Sequence, residues 1–198
     1  MLTRLPRSPA YCLGDDDPGG RLPVTFPAHN GQGAVQAAEQ YPGIGGVATY
    51  TEDILVGYRF FAAENQQPLF PFGHGLSLAQ FGYDNPRIRR PGPGEIQVSF
   101  GIVNNSPRPG HEVAQLYLRC PVQAAEPPFQ LKGFQRVHLK AGERCAVVFT
   151  LTSTDLASWS GPAGWTVHPG SYEVLIGASS ADGRLSAFVE VADDSHAQ

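Results

Sequence analysis

The chain has 198 residues and a formal net charge of −4, with 14 Lys and Arg against 18 Asp and Glu. This balance argues against non-specific nucleic-acid binding, which needs a basic surface. Gly and Pro, at 23 and 18 residues, reach nearly twice their typical combined share of about 12% and favour turn-rich β structure over a helical bundle. A chain of this length can bury a hydrophobic core without a disulfide, metal or cofactor, and we expect none.

No run of 18 or more apolar residues occurs, so we expect no membrane contact through a spanning helix. Residues 1–14 carry two Arg and two Pro without an apolar stretch, which is unlike a secretory signal. Cys12, Cys120 and Cys145 are widely spaced and are interpreted as buried thiols rather than as zinc ligands. The compartment is left unassigned.

Residues 1–85 show little clean periodicity. The run RLPVTFP at residues 21–27 predicts one short strand that depends on other structure, and residues 28–47 predict a loop with at most one or two helical turns. In the run TEDILVGYRFF, Thr51 is a favourable helix N-cap, although the β-branched and aromatic residues leave a strand open. The region therefore holds two or three short elements and no core of its own, fewer than a domain of that size should show.

Beyond residue 94 apolar and polar residues alternate, which is the signature of half-buried strands. The segments between the runs hold the Gly, Pro, Asn and Asp that tight turns require. Seven short strands in about 100 residues predict an immunoglobulin-like β-sandwich, and the stretch rich in Pro and Arg at residues 85–94 is interpreted as a linker. The strands are predicted at residues 96–102, 113–118, 131–139 (a break at Gly133 is left open), 145–151, 165–167, 172–178 (Tyr172, Val174, Ile176 and Ala178 inward) and 185–189.

No complete catalytic or metal-binding motif is present. The six histidines lack the HxxxH spacing, and the run GLSLA at residues 75–79 is only half of a nucleophile elbow. The run Asp15 to Asp17 lacks the spacing of a calcium loop and is interpreted as a solvated turn. Glu52 and Asp53 are adjacent and diverge on a helix or a strand, so they do not converge on a glycosidic bond. We expect them to begin a helix or to pair with Arg59.

Three aromatic side chains are candidates for ligand contacts. His74 lies between two glycines, and an interface or core role is favoured over ligand binding. Trp159 and Trp165 offer a sugar-stacking platform, but one tryptophan of such a sandwich normally belongs to the core, and that interpretation is favoured. We therefore predict no catalytic, cofactor-binding or metal-binding residue in this chain.

Several segments, in order along the chain, resemble the C-terminal part of family-3 glycoside hydrolases, the family of beta-glucosidases and beta-xylosidases. They are GDDDPGGRLPVTFP, YTEDILVGYRFF, PLFPFGHGLSLAQFGY, GHEVAQLYL, LKGFQRVHLKAGE and GSYEVLIGASSAD. The resemblance covers residues 13–192 and implies a mainly β chain. An incomplete α/β-domain remnant at residues 1–85 would precede a fibronectin type III-like β-sandwich at 86–193 and a tail at 194–198. Asp53, Asp17 and Gly19 stand where the family usually has Gly, Asn and Ser.

The resemblance also implies a function for the parent enzyme. A family member is a retaining hydrolase with an aspartate nucleophile and a carboxylic acid/base, and no position of this chain matches either motif. The chain would then be a C-terminal fragment that supplies the accessory domain, contacts carbohydrate substrate only through the parent, and is inactive alone. Either a start within a longer reading frame or a truncated gene is expected. Phe70 and Phe72 would pack between the two domains and, exposed in the fragment, form an apolar patch for an interdomain or protein partner. The alternatives are a free-standing β-sandwich module that binds carbohydrate or protein, and a purely structural module.

Overall fold

The structure is a computed structural model that describes residues 16–92 and 94–192. The predictions for Cys12, Asp15 and the tail at residues 194–198 lie outside the described residues.

Two antiparallel sheets pack face to face. One contains three strands in the order β1-β2-β5, and the other contains four in the order β4-β3-β8-β9, while β6 and β7 form a separate hairpin. This confirms the predicted mainly β sandwich. The strands are β1 Phe81–Arg89, β2 Ile96–Asn104, β3 Gly110–Arg119, β4 Gln130–Leu139, β5 Arg144–Leu151, β6 Ser158–Trp159, β7 Trp165–Thr166, β8 Gly170–Ser179 and β9 Asp182–Val191.

The core lies between the inner faces of the two sheets. In β2 every second residue is buried, from Ile96 to Asn104, as the alternation in the sequence predicts. The four apolar ones, from Ile96 to Ile102, share one hydrophobic cluster with Leu116 of β3 and with Val174 and Ile176 of β8. Because the cluster draws on both sheets, the sandwich has a core that does not depend on residues 16–80.

Strand β1 corrects the linker prediction. Residues 81–89 pair antiparallel with β2, with a register irregularity between Asp84 and Arg87. Pro86 and the left-handed Asn85, with φ of 51°, fall inside this irregularity. Proline is confined to edge strands and bulges because it has no N–H to donate, and β1 is an edge strand. The composition of residues 85–89 therefore marks a bulged edge strand and not a linker.

Two details of the predicted strands are also wrong. Trp165 and Thr166 pair only with the hairpin partner β6, so β1 takes the place of that strand among the seven of the sandwich. Ala178 lies outside the core cluster because the pairing of β8 with β9 shifts register on both sides of Gly177. That bulge moves Ala178 off the inner face, which Tyr172, Val174 and Ile176 do occupy.

The break left open at Gly133 is a bulge within a continuous β4. The partners of Leu116 and Tyr117 step from Gly133 to Leu131, so Lys132 is the extra residue. A Cβ atom on residue 133 would lie 2.9 Å from the Phe149 ring. Glycine at this position therefore makes room for that aromatic side chain.

Residues 16–80 form no sheet in the described structure and lie against the sandwich. The run at residues 21–27 makes a single bridge, in which Phe26 and Phe70 exchange backbone hydrogen bonds of 2.8 and 3.2 Å. Helix α1 spans Tyr58–Ala63 and follows Gly57, so the predicted N-cap at Thr51 is wrong. Asp53 has φ of 51°, a left-handed conformation that favours the glycine usual at this position of the family.

Three further helical turns lie in the sandwich. Helix α2 spans Ser153–Leu156 and begins with a capping box formed by Thr152 and Asp155. The 3₁₀ turns Val122–Ala124 and Gly161–Ala163 connect strands. Gly161–Ala163 links β6 to β7 and thereby sets the position of both tryptophans.

Candidate functional site

Asp17 fixes the start of the described chain to the sandwich. Its carboxylate accepts hydrogen bonds from the Ser77 hydroxyl and the Leu78 N–H, both 2.7 Å, and from the His111 N–H at 2.8 Å. The side chain is 4% exposed, so the solvated-turn interpretation is wrong for this residue. Burial opposes ionisation, but the hydrogen bonds from His111, Ser77 and Leu78 outweigh it and lower the pKa of Asp17.

The same contacts explain the incomplete nucleophile motif. The Ser77 hydroxyl donates to Asp17 and accepts a hydrogen bond of 3.0 Å from the Ala79 N–H. A carboxylate that binds the serine hydroxyl directly, without an intervening histidine, lacks the arrangement of a serine hydrolase. Ser77 therefore helps to hold the Asp17 carboxylate, which also binds the His111 N–H of β3.

Arg21 and Glu112 form a buried ion pair beside this anchor. Arg21 Nη2 lies 2.7 Å from Glu112 Oε1, and the two side chains are 11% and 4% exposed. Glu112 Oε1 also accepts the Val113 N–H at 2.8 Å, and its Oε2 lies 3.8 Å from Arg184 Nη1. The Arg184 guanidinium packs 4.8 Å from the centre of the Tyr83 ring. The network thus joins residue 21 to β1, β3 and β9.

A cavity of about 300 Å³ opens onto this network, and both Glu112 and Asp182 line it. Glycosidic cleavage needs one protonated and one ionised carboxyl on either side of the bond. Here Asp182 lies 2.8 Å from Arg184, and Glu112 is held by Arg21. Each carboxylate is thus paired with an arginine. The absence of catalytic residues from this chain remains a prediction.

Neither cysteines nor histidines form a metal centre in the described part of the chain. Cys120 and Cys145 are free and half-buried, and burial raises the pKa of both thiols. The His111 and His138 rings lie 4.6 Å apart. Burial lowers the pKa of His111, with further contributions from Arg136 and His138, so this imidazole is neutral near pH 7.

The adjacent carboxylates of the sequence do not make the predicted ion pair. Glu52 accepts a hydrogen bond of 3.2 Å from Gln40 Nε2, and none of the described ion pairs joins Arg59 to Glu52 or Asp53. Arg59 instead lines a cavity beside the two tryptophans.

Trp159 and Trp165 face each other across the β6–β7 hairpin, with ring centres 5.9 Å apart and planes at 75°. They are 62% and 72% exposed, so the prediction of a core tryptophan is wrong. Beside them lies a cavity of about 700 Å³, which we call the tryptophan cavity. Its lining residues are Ile54, Arg59, Glu126, Gln130, Lys132, Ser153, Thr154, Ala157, Trp159, Trp165 and Val167.

An apolar groove of about 530 Å³ lies within residues 18–76. It is lined mainly by Leu22, Phe26, Phe70 and Leu76. Phe70 is 41% exposed and stacks on His74, with ring centres 5.3 Å apart. Phe72 is half-buried instead, and its ring stacks on Tyr58 at 4.9 Å. Of the two residues predicted to form the patch, only Phe70 is therefore exposed.

Exposed large apolar side chains concentrate in this same region. Of the 19 in the described structure, 13 belong to residues 16–80. We call these 13 the apolar surface: Val24, Phe26, Val35, Tyr41, Ile44, Val47, Tyr50, Ile54, Val56, Leu69, Phe70, Leu76 and Leu78.

The sandwich defines the class of the protein. Residues 112–180 match the fibronectin type III-like domain. The chain is 36% identical over 196 residues to probable beta-glucosidase D of Aspergillus flavus, covering 87% of this chain and 25% of that protein. It is 34% identical to a beta-glucosidase of Rhizobium radiobacter, covering 92% of this chain and 23% of that one.

Comparison with solved structures also gives beta-glucosidases. The chain superposes on DesR, a beta-glucosidase from Streptomyces venezuelae, with a TM-score of 0.87 and 39% identity, over 92% of this chain and 24% of that one. The Bifidobacterium adolescentis GH3 beta-glucosidase gives 0.86 and 33%, over 94% and 28%. The chain thus spans about a quarter of the relatives that it matches, and it belongs to the family of GH3 beta-glucosidases as their C-terminal, fibronectin type III-like part.

No helix within residues 16–92 and 94–192 has the length and apolar character that a bilayer crossing requires.

Proposed function

We propose that this chain completes a beta-glucosidase-type hydrolase, in which it supplies the accessory sandwich and the seat for the catalytic part. The parent enzyme hydrolyses terminal β-glucosyl groups of carbohydrates, and the chain alone has no turnover. The observation that carries this proposal is the distribution of exposed apolar side chains. They cluster on residues 16–80, whereas the sandwich buries its own core.

The apolar surface holds 13 of the 19 exposed large apolar side chains of the described structure. Contiguous exposed apolar patches on soluble proteins usually mark sites where another protein surface packs. The groove around Phe26, Phe70 and Leu76 is open and almost free of charged groups, apart from Arg21. Relatives four times as long as this chain carry a catalytic part, and that part is the occupant we assign to the groove. A partner in a second polypeptide would use the same surface.

We place the boundary between the two units just before Phe81. Strand β1 begins at this residue and pairs with β2, so a boundary at residues 85 and 86 would divide a strand. Residues 16–80 then belong to the end of the preceding α/β domain, and residues 81–192 form the sandwich.

A chimera of DesR tests this function. The C-terminal quarter of DesR that matches this chain is replaced by residues 13–192, and hydrolysis of a chromogenic aryl β-glucoside is compared among intact DesR, DesR without that quarter, and the chimera. We expect the chimera to be soluble and active and the shortened enzyme to be inactive. A soluble, folded chimera without activity would contradict the proposal.

Matched variants of the chimera test the groove itself. Phe26→Asp places a charge in the apolar groove, and Phe188→Asp places the same charge at a more exposed aromatic position on β9. Only the first substitution should lower activity or dissociate the catalytic part. Equal effects of both would remove the argument from the apolar surface. Turnover of the aryl glucoside by the purified 198-residue chain would refute its inactivity.

A further inference from the structure

We propose that the tryptophan cavity binds a neutral oligosaccharide. This goes beyond the proposed function, since it gives this chain a ligand of its own, held between the sandwich and residues 54–59. Three features carry the inference: the exposure of both tryptophans, the angle between their rings, and the mixed charge of the rim.

The exposure of the tryptophans has no structural explanation in the fold. The β6–β7 hairpin pairs with neither sheet, and both indoles stay out of the core cluster. Two neighbouring indoles that remain 62% and 72% exposed leave a large apolar area in contact with water. A ligand that covers the rings would remove this unfavourable hydration.

The ring geometry fits a sugar chain. The two indole planes stand at 75°, so they form a corner and not a flat platform. The C–H face of one sugar ring can lie on one indole while the next residue of the chain contacts the other. The cavity volume of about 700 Å³ lies within the range of about 300–1,000 Å³ typical of small-ligand sites.

The rim selects a neutral, hydroxyl-rich ligand. Arg59 and Lys132 are positively charged and Glu126 is negatively charged, and Gln130 donates a hydrogen bond to Glu126. The two basic groups repel a cationic ligand, and the carboxylate of Glu126 offsets part of their attraction for an anionic one. Sugar hydroxyls both donate and accept hydrogen bonds, so they match such a rim at every position. Charged groups are depleted from the centres of protein interfaces, which argues against a protein partner here.

The sequence provides its own reporter. The chain has only two tryptophans, and both line the cavity, so tryptophan fluorescence, excited selectively over the seven tyrosines, monitors this site alone. The full chain is titrated with cellotetraose and with laminaritetraose, followed by tryptophan fluorescence and by calorimetry. We expect a saturable change with at least one of the two sugars, and none with choline or gluconate at the same concentration.

Alanine variants test whether the two indole rings cause the binding response. Trp159→Ala and Trp165→Ala should each weaken binding at least about tenfold, or about 1.4 kcal/mol. Phe188→Ala, which removes an aromatic ring 66% exposed on β9, should leave the affinity unchanged. Trp→Phe substitutions at the same two positions keep the test valid if an alanine variant does not fold.

Three results would overturn the proposal. They are flat titrations with both sugars, sugar binding that survives in both alanine variants, and equal responses to choline or gluconate. Binding of a protein to the tryptophan cavity that is unaffected by either sugar would also contradict it.

Discussion

Substitution of Arg21 by methionine tests whether the buried ion pair holds residues 16–80 on the sandwich. The variant keeps the apolar stem and removes the charge that lies 2.7 Å from Glu112. Loss of one partner of a buried pair costs about 3–5 kcal/mol when the other charge stays uncompensated. Glu112 retains the Val113 N–H at 2.8 Å and Arg184 at 3.8 Å. We therefore expect a smaller loss, about 1.5–3 kcal/mol, which is the range of a hydrogen bond to a charged group.

The assay is urea unfolding of the full chain, followed by circular dichroism. The matched control is Arg119→Met, which breaks an ion pair of similar length, 2.8 Å, whose arginine is half exposed. Exposed pairs contribute less than about 1 kcal/mol. The double variant Arg21→Met with Glu112→Leu should recover part of the loss, since no buried charge remains. Equal effects of the two single arginine substitutions would refute the assigned role of Arg21.

Three further predictions concern stability. The pKa of Asp17 is lowered in the folded state, so its contribution is present above the unfolded pKa of about 3.9 and is lost as pH falls through the folded pKa. Asp17→Asn should flatten the decline of the melting temperature between pH 5 and 3, and an unchanged profile would contradict this. The Asn104 amide is fully buried and binds the Arg108 and Leu139 carbonyls and the Ser106 N–H, so Asn104→Ala should cost at least about 2 kcal/mol in urea unfolding. Residues 80–192 alone should unfold in one cooperative step, with stability reduced at least as much as by Arg21→Met, and a broad transition would count against the boundary before Phe81.

The alternation of apolar residues predicted six of the seven strands of the sandwich. In β2 and β5 one face meets the core, so the inward residues other than Asn104 are apolar, and the period of two is visible in the sequence. Strand β1 gave no such signal because it is an edge strand with a bulge at Pro86. The capping box of Thr152 and Asp155 was visible as the run TSTD, and it would have predicted helix α2.

The site residues were harder to predict from the sequence. Asp17 looked like part of a solvated acidic run, and its partners Leu78 and His111 lie 61 and 94 positions away along the chain. Local composition carries no information about contacts of that range. The prediction of a core tryptophan rests on the fact that sandwiches of this size normally bury one. Here both tryptophans lie in a hairpin of two-residue strands, which holds them outside the core.

The bulge in β1 has a consequence for self-association. A foreign strand cannot extend the sheet beyond β1, because Pro86 has no N–H and the irregular register interrupts the row of free backbone groups. The opposite edge strand of this sheet, β5, has no proline and keeps an unbroken register with β2 from Arg144 to Leu151. Any growth of the three-stranded sheet into fibrils is therefore expected to be one-sided and to begin at β5.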